Sequence, residues 1–154
     1  VPMDPENRPP KSIIEPRHPF PEPQRVKMDD ERDGSTHKFS ILSAESKDFY
    51  LTHNHYADGR LGEFFLVAGK EGSFAAAALD LLATAISIGL QYGIPLEAFL
   101  SKMRHVQCEP SGMVSETPPG MLDGNQKLFA KSPFDYVAAF LHHNYPDGYL
   151  RRGR

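Results

Sequence analysis

From Thr36 to Gly69 apolar and polar residues alternate in three short runs, "THKFSILS", "KDFYLTHNHY" and "GEFFLVAG". A period of two is the pattern of half-buried strands. The last two runs are separated by "ADGR", and Asp58-Gly59 predicts a two-residue hairpin turn with positive φ at both central positions. That turn sets a register: His55 opposite Gly62, His53 opposite Phe64, Leu51 opposite Leu66 and Phe49 opposite Ala68. One face then carries Phe49, Leu51, Phe64 and Leu66, and suits a covering helix. The other carries Tyr50, Tyr56, Leu61, Phe65 and Val67, too apolar to face water, and reads as an interface with an oligomer, a partner or the N-terminal arm.

Downstream the period lengthens. "SFAAAALDLLATAISIGLQYG" is apolar nearly all round, with Ser73 as N-cap and Gly93 as stop, and is predicted to be the central buried helix. A second helix starts with Pro95 at its first position, and Leu96, Phe99, Leu100 and Met103 repeat at helical spacing. A third, "SPFDYVAAFLHH", takes Ser132 as its cap and buries Phe134, Val137, Ala138 and Leu141. The stretch between these two, "VQCEPSGMVSETPPGMLDGNQ", reads as loop. The expected fold is α+β: a small antiparallel sheet (a hairpin plus one further strand) packed by a central buried helix and two further helices. Eight of the fourteen prolines fall in residues 1–23. Residues 1–34 are therefore read as an extended Pro-rich N-terminal arm, with Ile13, Ile14 and Phe20 as anchors, and residues 35–154 as the domain.

Composition narrows the function classes. With 154 residues and a net charge of −3, the chain has one modest core and no electrostatic case for nucleic acid. The single cysteine, Cys108, excludes a disulfide framework and points to a cytoplasmic setting. "VPMDPENRPPKS" lacks the charged and apolar regions of a signal peptide. Residues 73–90 are the one membrane candidate, but they carry Asp80 and are dominated by alanine, so no membrane partner is expected.

Candidate chemistry is sparse. In "GKEGS" Lys70, Gly72 and Ser73 stand before a helix N-terminus. That is either a tight turn with a capping serine or a seat for an anion such as a phosphate or nucleotide. It lacks the order of a Walker motif. His53 and His55, two apart on a strand, are weak metal candidates that Cys108, Glu63, His142 and His143 could complete only through the fold; surface histidines are the alternative, and no metal site is assigned. Cys108 has no recognisable base beyond nearby His105, and Asp29, Asp30, Glu31 and Asp33 form a solvated charge run. No catalytic residue is assigned.

At "DGRLGEFFLVAGKEGS", "ATAISIGLQYGIPLEAF", "CEPSGMV" and "KSPFDYV" the chain resembles the C-terminal, TSCPD-type portion of adenosylcobalamin-dependent (class II) ribonucleotide reductases, in the family's order from about Lys47 to Tyr136. The resemblance implies the reduction of ribonucleotides to deoxyribonucleotides by a cobalamin-generated thiyl radical and a reducing cysteine pair. Those groups belong to a catalytic barrel, and one cysteine cannot supply them. The late motif departs from the family as well, with "SPFD" where the name-giving residues include a cysteine. Among the matching positions, Glu63, Lys70, Ser73 and Glu109 are polar groups that a turn does not demand, and with Gly72 they are the expected ligand or partner contacts.

The resemblance implies a stand-alone accessory or regulatory domain in DNA precursor supply. It would work with a separate class II reductase catalytic chain, meet adenosylcobalamin only through that chain, and sense a nucleotide or dock. The alternative is a structural or interaction protein in a larger assembly, binding through its arm and outer sheet face. A homo-oligomer or hetero-complex is expected in either case.

Overall fold

The computed structural model describes residues 22–43, 47–68, 72–122 and 128–152. Five strands, β1 (Asp33–Leu42), β2 (Lys47–His55), β3 (Leu61–Ala68), β4 (Gly112–Val114) and β5 (Phe129–Ala130), form one antiparallel sheet in the order β3-β2-β1-β4-β5. The helices are α1 (Phe74–Gln91), α2 (Leu96–Met103) and α3 (Pro133–Asn144), and a 3-10 turn follows at Pro146–Gly148. The α+β class is as expected, but the sheet is wider than a hairpin plus one strand. Strands β4 and β5, of 3 and 2 residues, are too short to show a period and lie in or just past a segment read as loop.

The β2–β3 register holds at Phe49↔Ala68, Leu51↔Leu66 and His53↔Phe64, then shifts so that His55 faces Leu61 and not Gly62. The turn explains the shift. Gly59 alone takes positive φ (+89°), Gly59 N–H donates to Tyr56 O (2.8 Å) and Tyr56 N–H to Arg60 O (2.9 Å). The loop is thus one residue longer than a two-residue turn, and Gly62 is left unpaired as a bulge. A bulge reverses side-chain parity, so Leu61 is buried at 1% exposure instead of lying outside. A Cβ on Gly62 would stand 2.5 Å from Met28 Sδ and 2.9 Å from Tyr56 Cε2, so a larger residue there would have to displace the Met28 side chain that packs over it. Tyr50, Phe65 and Val67 do face outward.

The inner face of the sheet is covered by α3, not α1. Tyr136, Val137, Phe140 and Leu141 are buried against Phe39, Ile41, Phe49 and Leu51, and the Phe39 and Tyr136 rings stand 4.2 Å apart. α1 buries only Ala83, Ile86, Ser87, Leu90 and Gln91, while Phe74 is 89% and Leu81 70% exposed. The expectation of a central α1 therefore fails. Alanine made the helix look apolar on every side without giving it bulk, and bulk is what fills a sheet face.

α1 runs along the outer edge of β3. The Ser87 hydroxyl accepts from Phe64 N–H (3.0 Å) and shares its proton between the carbonyls of Ala83 (2.7 Å) and Phe64 (3.1 Å). Gln91 Nε2 donates to Gly62 O (3.2 Å). Helix side chains thus serve edge groups that a sixth strand would otherwise take. The other caps match expectation: Ser73 accepts from Ala76 N–H and Ser132 from Asp135 N–H. Pro95 sits one place earlier than expected, as the N-cap of α2.

Replacing Ser87 by alanine is expected to cost about 1–3 kcal/mol, because the buried Phe64 N–H loses its partner. Chemical denaturation should show a lower midpoint with an unchanged m-value. An unchanged midpoint would mean that the edge finds another acceptor.

Candidate functional site

The sequence-predicted residues lie in separate places. Lys70 is outside the described residues, as are Ile13, Ile14 and Phe20 of the arm. Gly72 has φ +76° and open space around it, and the Ser73 hydroxyl is engaged as the α1 cap (3.2 Å to Ala76 N). Glu63, at the other end of β3, is buried and accepts from Arg32 Nε (2.9 Å) and Asn54 Nδ2 (2.8 Å). Glu109 lies in the exposed α2–β4 connection and accepts from its neighbour Ser111.

The histidines part company as well. His53 is buried beneath α3, 7% exposed, with Nδ1 2.6 Å from Tyr145 Oη. His55 has a buried Nδ1 without a partner. His142 pairs with Glu97 (3.7 Å) and Cys108 is free and exposed. Among the described residues no three of His, Cys, Asp and Glu stand close enough to hold a metal ion.

Three concave regions stand out. One, of about 460 Å³, lies between the first half of β1 and the segment Glu116–Pro119, with His37, His53, Phe140 and Asn144 among its lining. A second, of about 480 Å³, is an apolar groove between α1 and α2 formed by Leu82, Ala85, Ile86, Phe99, Val106 and Phe134. A third, of about 500 Å³, adjoins the start of α2 and the 3-10 turn. Its wall carries both signs, Arg60 against Glu97 and Asp147, so it gives no net pull on an anion.

The first groove contains the most organised polar chemistry. Tyr136 Oη donates to Glu116 O (3.0 Å), which uses its one proton, so at 2.8 Å His37 Nε2 must be the donor to Tyr136. Neutral His37 thus keeps Nδ1 as an acceptor. Tyr145 Oη has His53 Nδ1 as its partner; donating to it is the arrangement that wastes no buried hydroxyl proton, and it leaves His53 Nε2–H as a donor. Phe140 separates the pairs, stacked on His37 at 4.5 Å and edge-on to His53 at 5.5 Å.

Burial depresses the His53 pKa to about 4, with the neighbouring His37 and His55 adding to it. Burial also lowers His37, against a smaller opposing pull from Glu116, and pushes Tyr145 up to about 12 and Tyr136 further in the same direction. At neutral pH these groups offer hydrogen bonds without net charge. The site is suited to polar or main-chain groups, not to phosphate. His37, Tyr136, Phe140 and Tyr145 were not singled out from the sequence. The available signal was parity: His37 is two residues before the core residue Phe39 and must share its face.

The family model described as TSCPD domain matches residues 21–145. Among curated proteins the chain is 41% identical over 120 residues to a vitamin B12-dependent ribonucleotide reductase of Rhodopirellula baltica, covering 77% of this chain and 10% of that protein. Against the vitamin B12-dependent ribonucleotide reductase of Streptomyces clavuligerus the identity is 42% over 116 residues, covering 75% and 12%. Against that of Agrobacterium fabrum it is 36% over 115 residues, covering 74% and 8%. The chain thus spans about a tenth of the length of the curated relatives it matches. No solved structure matches it.

Because the folded pKa of His53 lies below its ordinary value of 6.5, the unfolded chain binds the proton more readily. Stability is then full above pH 6.5 and falls as the pH drops through about 4, by about 3 kcal/mol from this residue once it is fully protonated. His37 and His143, whose pKa values burial also lowers, act in the same direction. Denaturation midpoints measured across this range should drop on acidification, and His53→Gln should flatten the slope. A variant with the wild-type slope would remove His53 from this role.

Proposed function

The chain belongs to the TSCPD-domain family, and from that premise we propose that it is an accessory module of vitamin B12-dependent ribonucleotide reduction. It docks on the catalytic body of such a reductase and makes or breaks no bond itself. The relatives are reductases by name, and the matched region is a small share of each. Adenosylcobalamin belongs, in this reading, to the catalytic body. The clefts described, of about 460–500 Å³, are of the size that takes drug-like ligands, which supports leaving the larger cofactor to that body.

The observation that carries the reading is the solvent side of α1. Phe74 and Leu81 are 89% and 70% exposed, and Val67 on the outer sheet face is 64% exposed. The apolar α1–α2 groove opens beside them at Leu82 and Phe99. Large apolar side chains held outward on a regular helix mark a surface that another body covers. α1 is also long and apolar enough, by length and composition, to cross a membrane, but Ser87 and Gln91 tie it to β3.

Two charge insertions test this. Phe74→Asp and Leu81→Asp alter exposed side chains, so stability should move by less than about 0.5 kcal/mol. Binding to the catalytic body of a vitamin B12-dependent ribonucleotide reductase from the same cell should weaken by about 30-fold or more, the loss of one apolar anchor. Co-purification that recovers the reductase and fails with the variants supports the proposal. Undiminished binding overturns it, and recovery of an unrelated assembly in place of the reductase favours an interaction protein that carries the same surface.

A further inference from the structure

β1 meets its two neighbours over different lengths. It pairs with β2 from Asp33 to Ile41, but with β4 only at Ile41 and Leu42. Just before that junction Ser40 N–H donates to Ser115 Oγ (3.0 Å), and Ser40 O accepts from Ser115 N–H (2.9 Å). Successive residues of an antiparallel strand turn their main-chain groups to alternate sides, so Ser40 fixes the parity. Gly34, Thr36 and Lys38 share it and aim N–H and C=O away from β2. Among the described residues none of the three has a main-chain partner on that side. Such an edge is a template for another strand.

The polar groove runs along this edge, between Ser35–His37 and Thr117–Pro119. His53 is more than nine-tenths buried in its floor, and its Nε2 has no protein partner among the described residues. Two carboxylates flank it. Asp33 stands at the head of the edge and Glu116 across the groove, and neither is in an ion pair among the described residues. Of the nearby cations Lys38 is paired with Asp48 (3.1 Å) and Arg32 with Glu63 (2.9 Å), and Arg151 is turned through Nε to His143 O (2.8 Å).

We propose that the open edge of β1 from Gly34 to Lys38 takes an extended, positively charged peptide segment as an added strand. Its main chain pairs with Gly34, Thr36 and Lys38. One inward side chain carrying a hydrogen-bond acceptor reaches His53 over Phe140, and basic side chains at the rim answer Asp33 and Glu116. This edge and α1 lie on opposite sides of the sheet, so the site does not depend on the docking reading.

The test uses the full chain, isotope-labelled for amide NMR, with three probes: an eight-residue alternating lysine–threonine peptide, its glutamate–threonine counterpart, and the lysine peptide N-methylated along its main chain. The lysine peptide should slow solvent exchange at the Gly34, Thr36 and Lys38 amides and bind at least about tenfold more tightly than the glutamate peptide. The N-methylated peptide should not bind. Thr36→Pro removes an outward main-chain donor and, on the β2 side, only the hydroxyl contact with Thr52 (2.8 Å), as the uncovered side of a strand tolerates, and should weaken binding by about tenfold. If that variant does not fold, Asp33→Asn with Glu116→Gln should weaken binding and reduce its salt dependence. The proposal is overturned if the three amides already exchange slowly in the free chain, if both charged peptides bind equally or neither binds, or if the shifts map to α1.

Discussion

A β-sheet has two edges, and this one closes the first with side chains of a helix. The Ser87 hydroxyl takes the place of a neighbouring strand at Phe64, accepting its N–H and offering a proton back, and Gln91 does the same for Gly62 O. The carbonyl of Gln91 also accepts from Val26 N–H (2.9 Å), and its Oε1 from Arg25 Nε (2.8 Å). One helix turn thereby joins the edge of the sheet to the incoming chain. This arrangement commits α1 to the side of the sheet and leaves the inner face to α3. It also leaves one side of α1 facing solvent, which is why a helix so apolar can still show Phe74 and Leu81 to water.

The inner face has its own constraint. A core that includes two histidines and two tyrosines must satisfy each polar atom or give up the benefit of burying them. The pairing His37–Tyr136 and His53–Tyr145 satisfies both hydroxyls and one nitrogen of each ring while keeping all four groups neutral, and Tyr136 donates its proton on to Glu116 O. That final bond is the tie between α3 and the segment that walls the polar groove. Asp135, one residue earlier on α3, holds the other end: its carboxylate accepts from His105 N–H (2.8 Å) and Lys131 N–H (3.1 Å). His105 has φ +64°, an unusual conformation for a non-glycine residue, and the buried carboxylate is what fixes its amide there.

Much of the frame could be read from residue order, and the failures have definite causes. The period of two found β1, β2 and β3, and the cap and stop residues placed all three helices to within a position or so. The hairpin register failed only at its last pair, because Asp58-Gly59 closes a longer loop and Gly62 absorbs the extra residue. Helix rank failed because periodicity measures where apolar groups point and not how much space they fill. The candidate sites fared less well. Sequence reasoning favoured polar groups that a turn does not demand, Glu63, Ser73 and Glu109 among them, and the structure gives each of these three a nearby partner within the protein. It passed over His37, Tyr136 and Tyr145 because their meeting depends on α3 crossing β1 and β2, a long-range contact that no local spacing encodes.

The two edges of the sheet finally explain why the chain has two kinds of surface. Where α1 closes β3, the partnering groups are spent and what remains outside is apolar, so anything bound there is held by area and shape. Where β4 stops short along β1, main-chain groups remain unspent, and the surroundings are carboxylates and neutral histidines, so anything bound there is held by direction and charge. The first surface suits a large rigid body and the second a flexible segment. With β2 and β1 between them, both can be occupied at once, and a domain of this size can hold a body on one side and a tether on the other.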